Sequence, residues 1–134
     1  MSIASSIAMS GMNVASLRLQ VSARNVANSR SDGPLPGSAN AGNFPAAYVP
    51  RRVDQVDSAG GGTSATVSKV SPGYVSVFDP AAAYADGHGM VASPNVDLAD
   101  EIVQQLLARF TFAANAQVVR TDAQMSKTLL DILA

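Results

Sequence analysis

The chain has 134 residues, a formal net charge of −1 and no cysteine. This composition excludes disulfide scaffolds and cysteine-ligated metal sites, and it argues against nucleic-acid binding, which needs clustered lysine and arginine. Only 14% of the residues are charged, against about 25% in a typical soluble domain, which favours a protein covered by copies or neighbours.

Residues that break helices are confined to the middle of the chain. All seven prolines and nine of the ten glycines lie between Ser29 and Asn95. Both ends also carry apolar residues at helical spacing. We therefore predict a mainly α fold with a small β patch, in which long N- and C-terminal helices pack as an antiparallel, coiled-coil-like pair around a Gly/Pro-rich middle.

The N-terminal segment, residues 1–28, has the pattern of an amphipathic helix. Its apolar stripe is Ile3, Ile7, Val14, Leu17 and Val21. Gly11 interrupts the stripe with a small residue that would let another backbone come close. Asn28 is predicted to cap the end of the helix, because asparagine tolerates the left-handed conformation that often closes one.

The middle of the chain divides into an irregular or mobile loop, residues 29–47, and a β-rich region, residues 48–95. Three short β-like runs follow the loop: Tyr48–Val56, Thr63–Val70 and Tyr74–Phe78. The triglycine Gly60–Gly62 joins the first two runs and is typical of a hairpin turn. These runs predict a short hairpin or a three-stranded patch.

The C-terminal segment, residues 96–134, reads as a second helix. Pro94 precedes it and Asp97 is a suitable N-cap. Its stripe begins with Ile102, Leu106, Phe110 and Ala113 and reaches Leu130. The two helical ends carry charges of opposite sign, so we expect the apolar stripes to decide how they pack and the charges to adjust the register.

No group of residues indicates a reaction, a cofactor or a metal site. His88 is the single histidine and stands between two glycines, which favours an exposed loop residue. Asp97, Asp100 and Glu101 are explained by an acidic first helical turn. The apolar runs are too short to span a membrane, and the N-terminus lacks the basic region of a cleavable signal peptide.

Both ends together resemble the bacterial flagellar basal-body rod proteins. The N-terminal resemblance lies in Ser16–Gln20 and the Asn-(hydrophobic)-Ala-Asn motif at Asn25–Asn28. The C-terminal resemblance lies in Pro94–Val103, Phe112–Asn115 and Lys127–Leu130. The short length, and the run from Asp79 to Val96, are similar to the members of this family that form the proximal rod.

The resemblance implies a structural subunit of the proximal rod, which polymerises through its terminal helices into a torque-transmitting shaft. It implies other rod subunits and the hook-basal-body adaptor as partners, in a hetero-oligomeric helical assembly. It also implies export into the periplasmic rod by the flagellar type III apparatus without signal cleavage. The alternatives are another axial rod or hook component, or a helical secretion adaptor or chaperone, and an enzyme is the least expected.

Fourteen residues are predicted to pack between subunits because they lie on the helical stripes or in the motifs at the helix ends. They are Ile3, Ile7, Val14, Leu17, Val21, Asn25, Asn28, Asn95, Ile102, Leu106, Phe110, Ala113, Asn115 and Leu130.

Overall fold

The computed structural model describes residues 2–133, so the first and last residues of the predicted helical segments lie outside the described part. In chain order, a long helix comes first, four short strands follow, and a second long helix comes last. The elements are α1 (Ile3–Ala27), β1 (Arg51–Asp57), β2 (Thr63–Lys69), β3 (Tyr74–Phe78), β4 (Met90–Pro94) and α2 (Leu98–Leu133). The fold is mostly helical with a small amount of β structure, as the sequence predicted.

Side chains cap the beginning of both helices. The Ser2 hydroxyl accepts a hydrogen bond from the Ser5 backbone N–H at 3.1 Å. The Asp97 carboxylate accepts from the N–H groups of Ala99 (2.8 Å) and Asp100 (3.3 Å), as a helix N-cap does. The 36 residues of α2 make a helix about 54 Å long at 1.5 Å per residue.

Asn28 caps the end of α1, but not in the predicted conformation. Its backbone N–H bonds the Arg24 carbonyl, and its side-chain amide donates to the same oxygen at 2.9 Å. The φ angle of Asn28 is −107°, outside the left-handed region. The side-chain amide satisfies an open carbonyl directly, so the cap needs no left-handed residue.

The two helices run antiparallel. Ser5 near the start of α1 bonds Asp122 late in α2, and Ser22 near the end of α1 bonds Gln105 early in α2. Gly11 faces Asn115 between these two contacts.

Strands β1 and β2 form an antiparallel hairpin, with pairs running from Arg51↔Lys69 to Asp57↔Thr63. Gly61 and Gly62 adopt φ angles of 84° and 85° in the turn, where a side chain would be strained. The hairpin lies where the triglycine predicted it.

Strand β3 does not extend this hairpin, so the predicted three-stranded patch is wrong. It pairs instead with β4, from Tyr74↔Pro94 to Phe78↔Met90, in a separate two-stranded sheet. Strand β4 was not predicted, because its five residues end in proline and do not alternate between apolar and polar. Val91 and Ala92 are both buried, so this strand needs no polar face.

The segment 29–47 is irregular and is anchored along its length. Gly33 exchanges two backbone hydrogen bonds of 2.9 Å with Ala92 on the outer edge of β4. Further along, the Asn40 amide donates to the Ala85 carbonyl at 2.7 Å, and the rings of Phe44 and Tyr84 meet edge to face. This segment therefore covers one edge of the second sheet.

The apolar core is small. Its buried members are mostly alanine and valine: Ala8, Val14, Ala15, Val21, Val91, Ala92 and Ala108. No large apolar side chain between Leu98 and Ile132 of α2 belongs to this core.

Candidate assembly interface

The seam between the two helices is made of small and polar residues. On α1 the buried residues at helical spacing are Ser5, Ala8, Gly11, Ala15, Ser22 and Asn25. The residues of α2 that meet them include Glu101, Gln105, Ala108, Asn115 and Asp122. Successive positions on both helices are three, four or seven residues apart, which keeps one face of each helix towards the other.

Hydrogen bonds hold this seam in register. The Ser5 hydroxyl donates to Asp122 Oδ2 at 2.5 Å. Towards the other end, the Ser22 hydroxyl donates to the Glu101 carbonyl and accepts from Gln105 Nε2, both at 3.1 Å. Hydrogen bonds from the Ser2 and Ser5 hydroxyls lower the pKa of Asp122.

These contacts correct the expectation that apolar stripes decide the helix pairing and that charges adjust it. No ion pair joins the helices within residues 2–133, where Arg52–Asp54 in β1 is the salt bridge found. Small side chains allow the backbones to approach, and paired polar groups fix the register. The large apolar side chains are left for other surfaces.

Asn25 joins α1, α2 and β1 at the place where the end of α1 meets the start of α2. Its side-chain amide donates to the Arg51 carbonyl (2.7 Å) and to Glu101 Oε1 (2.6 Å). Its side-chain oxygen accepts from the Tyr48 hydroxyl (2.9 Å) and from the Arg51 N–H (3.1 Å). Asn25 is 2% exposed. This buried side chain therefore fixes the start of β1 against α1 and α2.

The apolar stripe of α1 is partly covered by the β1–β2 hairpin. The Thr63 N–H donates to the Ser10 hydroxyl at 3.0 Å, and Arg18 donates to Gln55 at 3.2 Å. Gly61 approaches Ile7 closely at the hairpin tip. Of the stripe residues, Val14 and Val21 are buried and Leu17 is half-buried, whereas Ile3 and Ile7 stay exposed.

The apolar stripe of α2 faces outwards. Phe110 and Leu130 are each 67% exposed, and Ile102 is 57% exposed. The other exposed large apolar residues of this helix are Leu98, Val103, Leu106, Leu107, Phe112, Val118, Met125, Leu129 and Ile132, and Ala113 is exposed as well. A soluble monomer seldom leaves so continuous an apolar surface open, and such a surface marks an interaction site.

The last three turns of α2 extend beyond the start of α1. Ser5 lies against Asp122, so residues 123–133 project about 16 Å further at 1.5 Å per residue. Met125, Leu129 and Ile132 occupy one face of this projection and are exposed. Ala4, Val118 and Met125 line an apolar cavity of about 250 Å³ where the projection begins.

The remaining predicted asparagines bond within the chain. Asn28 caps α1, and the Asn95 amide donates to the Pro72 carbonyl at 3.0 Å. The Asn115 amide donates to the Thr111 carbonyl at 2.9 Å and faces Gly11. Sequence reasoning missed the seam residues Ser5, Ser22, Gln105 and Asp122. The signal that could have found them was the recurrence of small residues along α1.

Two other features carry charged or titratable side chains. A groove of about 400 Å³ beside Asn25 carries both signs of charge, since Arg18, Arg51, Asp97 and Asp100 are among its lining residues. His88 is exposed, and the Asp86 carboxylate accepts from the His88 and Met90 N–H groups, which lowers the pKa of Asp86. Residues 2–133 contain no cluster of side chains suited to a metal ion.

Neither helix, over the same residues, has a stretch that is long and apolar enough to cross a membrane.

Known proteins similar to this chain are components of the flagellar rod. Residues 88–132 match the family described as flagellar basal body rod FlgEFG protein C-terminal. The flagellar basal-body rod protein FlgC of Agrobacterium fabrum is 32% identical over 139 aligned residues, which cover 99% of this chain and 95% of the relative.

Two further relatives carry the same name. FlgC of Salmonella typhimurium is 34% identical and FlgC of Yersinia enterocolitica is 35% identical, and each alignment covers 92% of this chain and 91% of the relative. These relatives are rod proteins rather than enzymes. Their similarity extends over nearly the whole of both chains, and it includes the helix that exposes the apolar stripe. The chain therefore belongs to the FlgC family of structural proteins of the flagellar basal-body rod.

Proposed function

We propose that this chain is a subunit of the proximal rod that polymerises with other rod proteins through its terminal helices, and so helps to form the torque-transmitting shaft. The observation that carries the proposal is the outward-facing apolar stripe of α2. The helix pair is held together by small and polar contacts, so this stripe remains available to neighbouring subunits.

Burial of the stripe would supply the association energy. Transfer of a large apolar side chain from water to a packed interior contributes about 1.5–3 kcal/mol. Ile102, Leu106, Phe110 and Leu130 are all exposed by more than two-fifths, so several such contributions are available along one helix. The low share of charged residues in the whole chain supports the same conclusion.

The predicted subunit-packing residues fall into two roles. We assign the contacts between subunits to the exposed ones: Ile3, Ile7, Ile102, Leu106, Phe110, Ala113 and Leu130. Val14, Val21, Asn25 and Asn115 instead hold α1 against the hairpin and α2, and Leu17, Asn28 and Asn95 support the same framework. The spacing of the seam residues by three, four or seven positions supports a coiled-coil-like pair as the axial core.

Membership of the family supports a proposal for the location and the partners of the chain. We infer that the chain is exported by the flagellar type III apparatus without signal cleavage and occupies the periplasmic part of the basal body. Its neighbours would be other rod subunits and the hook-basal-body adaptor. The projecting turns 123–133 offer these neighbours an uncovered helix end.

The test replaces one exposed apolar side chain with a charged one. Phe110→Glu places a carboxylate on the stripe without disturbing the core, and Phe110→Leu is the matched control because it keeps an apolar side chain at the same exposed position. Each variant complements a strain that lacks the protein, and basal bodies are isolated and probed for the chain. We expect the control to restore rods and swimming and Phe110→Glu to restore neither. Normal rods built with Phe110→Glu would overturn the proposal.

A further inference from the structure

The β1–β2 hairpin lies on α1 without burying any of its own residues. Every residue from Arg51 to Val70 is exposed or half-buried. Two grooves, of about 320 Å³ and 210 Å³, lie beside the hairpin tip, and Thr63 and Val14 line both of them. The hairpin therefore contacts α1 at separate points and leaves open space between them.

The base of the hairpin is attached firmly. The Arg51 N–H donates to Asn25 Oδ1 at 3.1 Å, and the Asn25 amide donates to the Arg51 carbonyl at 2.7 Å. Asn25 is buried and also bonds Tyr48 and Glu101. Pro50, directly before the hairpin, is fully buried as well. Release of the base would break four hydrogen bonds and expose these buried groups.

The tip of the hairpin is attached by much less. The Thr63 N–H donates to the half-buried Ser10 hydroxyl at 3.0 Å. The turn residues Gly60–Gly62 carry no side chain that could add to this contact. Between tip and base, Arg18 donates to Gln55 at 3.2 Å, but both side chains are accessible to water, which competes for their polar groups.

From this difference we propose that the hairpin is a strap that opens at its tip, turns about its fixed base at Asn25, and when closed keeps Val14 covered. A segment held by few buried contacts and by accessible hydrogen bonds opens locally at a small cost in free energy. Opening uncovers Val14 and Leu17 and so adds the middle of the α1 stripe to the apolar surface of the free chain. This motion belongs to the single chain and goes beyond the proposed function.

Thiol labelling tests the opening, because the chain has no cysteine of its own. Val14→Cys places a thiol beneath the tip. Val21→Cys is the matched control near the base, since both valines are 6% exposed and Val21 lines the groove beside Asn25. Each thiol is labelled with DTNB in the dilute native chain, and the rate is divided by the rate for the same variant unfolded in urea.

We expect the thiol at position 14 to react at least about tenfold faster than the thiol at position 21, because the tip is released by breaking one backbone hydrogen bond and the base by breaking four. Equal normalised rates would mean that both thiols are reached only when the whole chain unfolds. That result would overturn the strap.

Removal of the tip contact provides a second comparison. Ser10→Ala removes the acceptor of the Thr63 N–H, and Ser6→Ala is its control. Both hydroxyls donate to the carbonyl three residues earlier, at 2.7 Å and 2.8 Å, but Ser6 has no bond to the hairpin within residues 2–133. We expect Ser10→Ala to speed labelling at position 14 by roughly three- to tenfold, the effect of one lost hydrogen bond, and Ser6→Ala to leave it unchanged. Equal rates in the two variants would overturn the role of Ser10.

Hydrogen exchange tests the strap in the unmodified chain. The Thr63 and Arg51 amides each donate to a side chain of α1, at 3.0 Å and 3.1 Å. We expect Thr63 to exchange at least about tenfold faster than Arg51, while Thr66, which pairs with Asp54 across the hairpin, stays protected. Equal protection of Thr63 and Arg51, or loss of protection at Thr66 together with Thr63, would overturn the strap. Either result would leave the proposed function intact.

Discussion

Gly11 of α1 lies directly against the side chain of Asn115 on α2, so closely that a Cβ at position 11 would come within 2.7 Å of Asn115 Nδ2. This contact sets the separation of the helices midway along their seam. It explains why a residue that weakens a helix by about 1 kcal/mol relative to alanine stands in the interior of α1.

Gly11→Ala is therefore expected to destabilise the chain despite the gain in helix propensity. Overpacking in a close contact costs about 1–3 kcal/mol. In an Asn115→Ala background the added methyl group has room, and the same substitution should then stabilise. Urea unfolding of the four chains in this double-mutant cycle measures the coupling. A stabilising Gly11→Ala in the unmodified chain would contradict the contact.

Asn25→Ala is expected to reduce the free energy of unfolding by about 2–4 kcal/mol, because it removes four hydrogen bonds and leaves the Tyr48 hydroxyl and the Arg51 backbone without their partner. Asn28→Ala removes an exposed helix cap and should reduce the free energy of unfolding by less than Asn25→Ala does. Hydrogen exchange should also show faster exchange of the Arg51 amide in the Asn25 variant. Similar losses in the two variants would argue against a joining role for Asn25.

The seam should weaken in acid through Asp122. Its pKa is lowered from 3.8 in the folded chain by hydrogen bonds from Ser2 and Ser5, so the unfolded chain takes up the proton first as the pH falls. The contribution of Asp122 to stability is therefore fully present above pH 3.8. It is lost as the pH falls through the lower pKa that Asp122 has in the folded chain. Melting temperatures of Asp122→Asn should depend less on pH in this range. Asp131→Asn, on the uncovered part of α2, is the control.

Hydrogen exchange should divide α2 at Asp122. In the dilute chain, amides in residues 123–133 should exchange much faster than those opposite α1, because residues 123–132 are exposed along the described part of the chain. Incorporation into basal bodies should slow their exchange if neighbouring subunits cover them. Uniform protection along α2 in the dilute chain would contradict the exposed arrangement.

The helix ends and the hairpin turn could be predicted because their signals are local. Asp97 caps the residues next to it, Asn28 bonds the preceding turn, and the triglycine supplies the positive φ angles of the turn. Each of these features depends on a few neighbouring residues, so no knowledge of the fold was needed. The family resemblance likewise rested on short motifs at the two ends.

The pairing of faces was decided by the tertiary structure alone. The sequence contains both an apolar stripe and a small-residue face on α1, and periodicity cannot say which of them meets α2. The structure places Gly11 and Ser22 in the seam, turns the Val14 side towards the hairpin and leaves Phe110 in solvent. The reason is physical: close helix approach and paired polar groups depend on residues more than 70 positions apart, whereas a stripe records only the spacing within one helix.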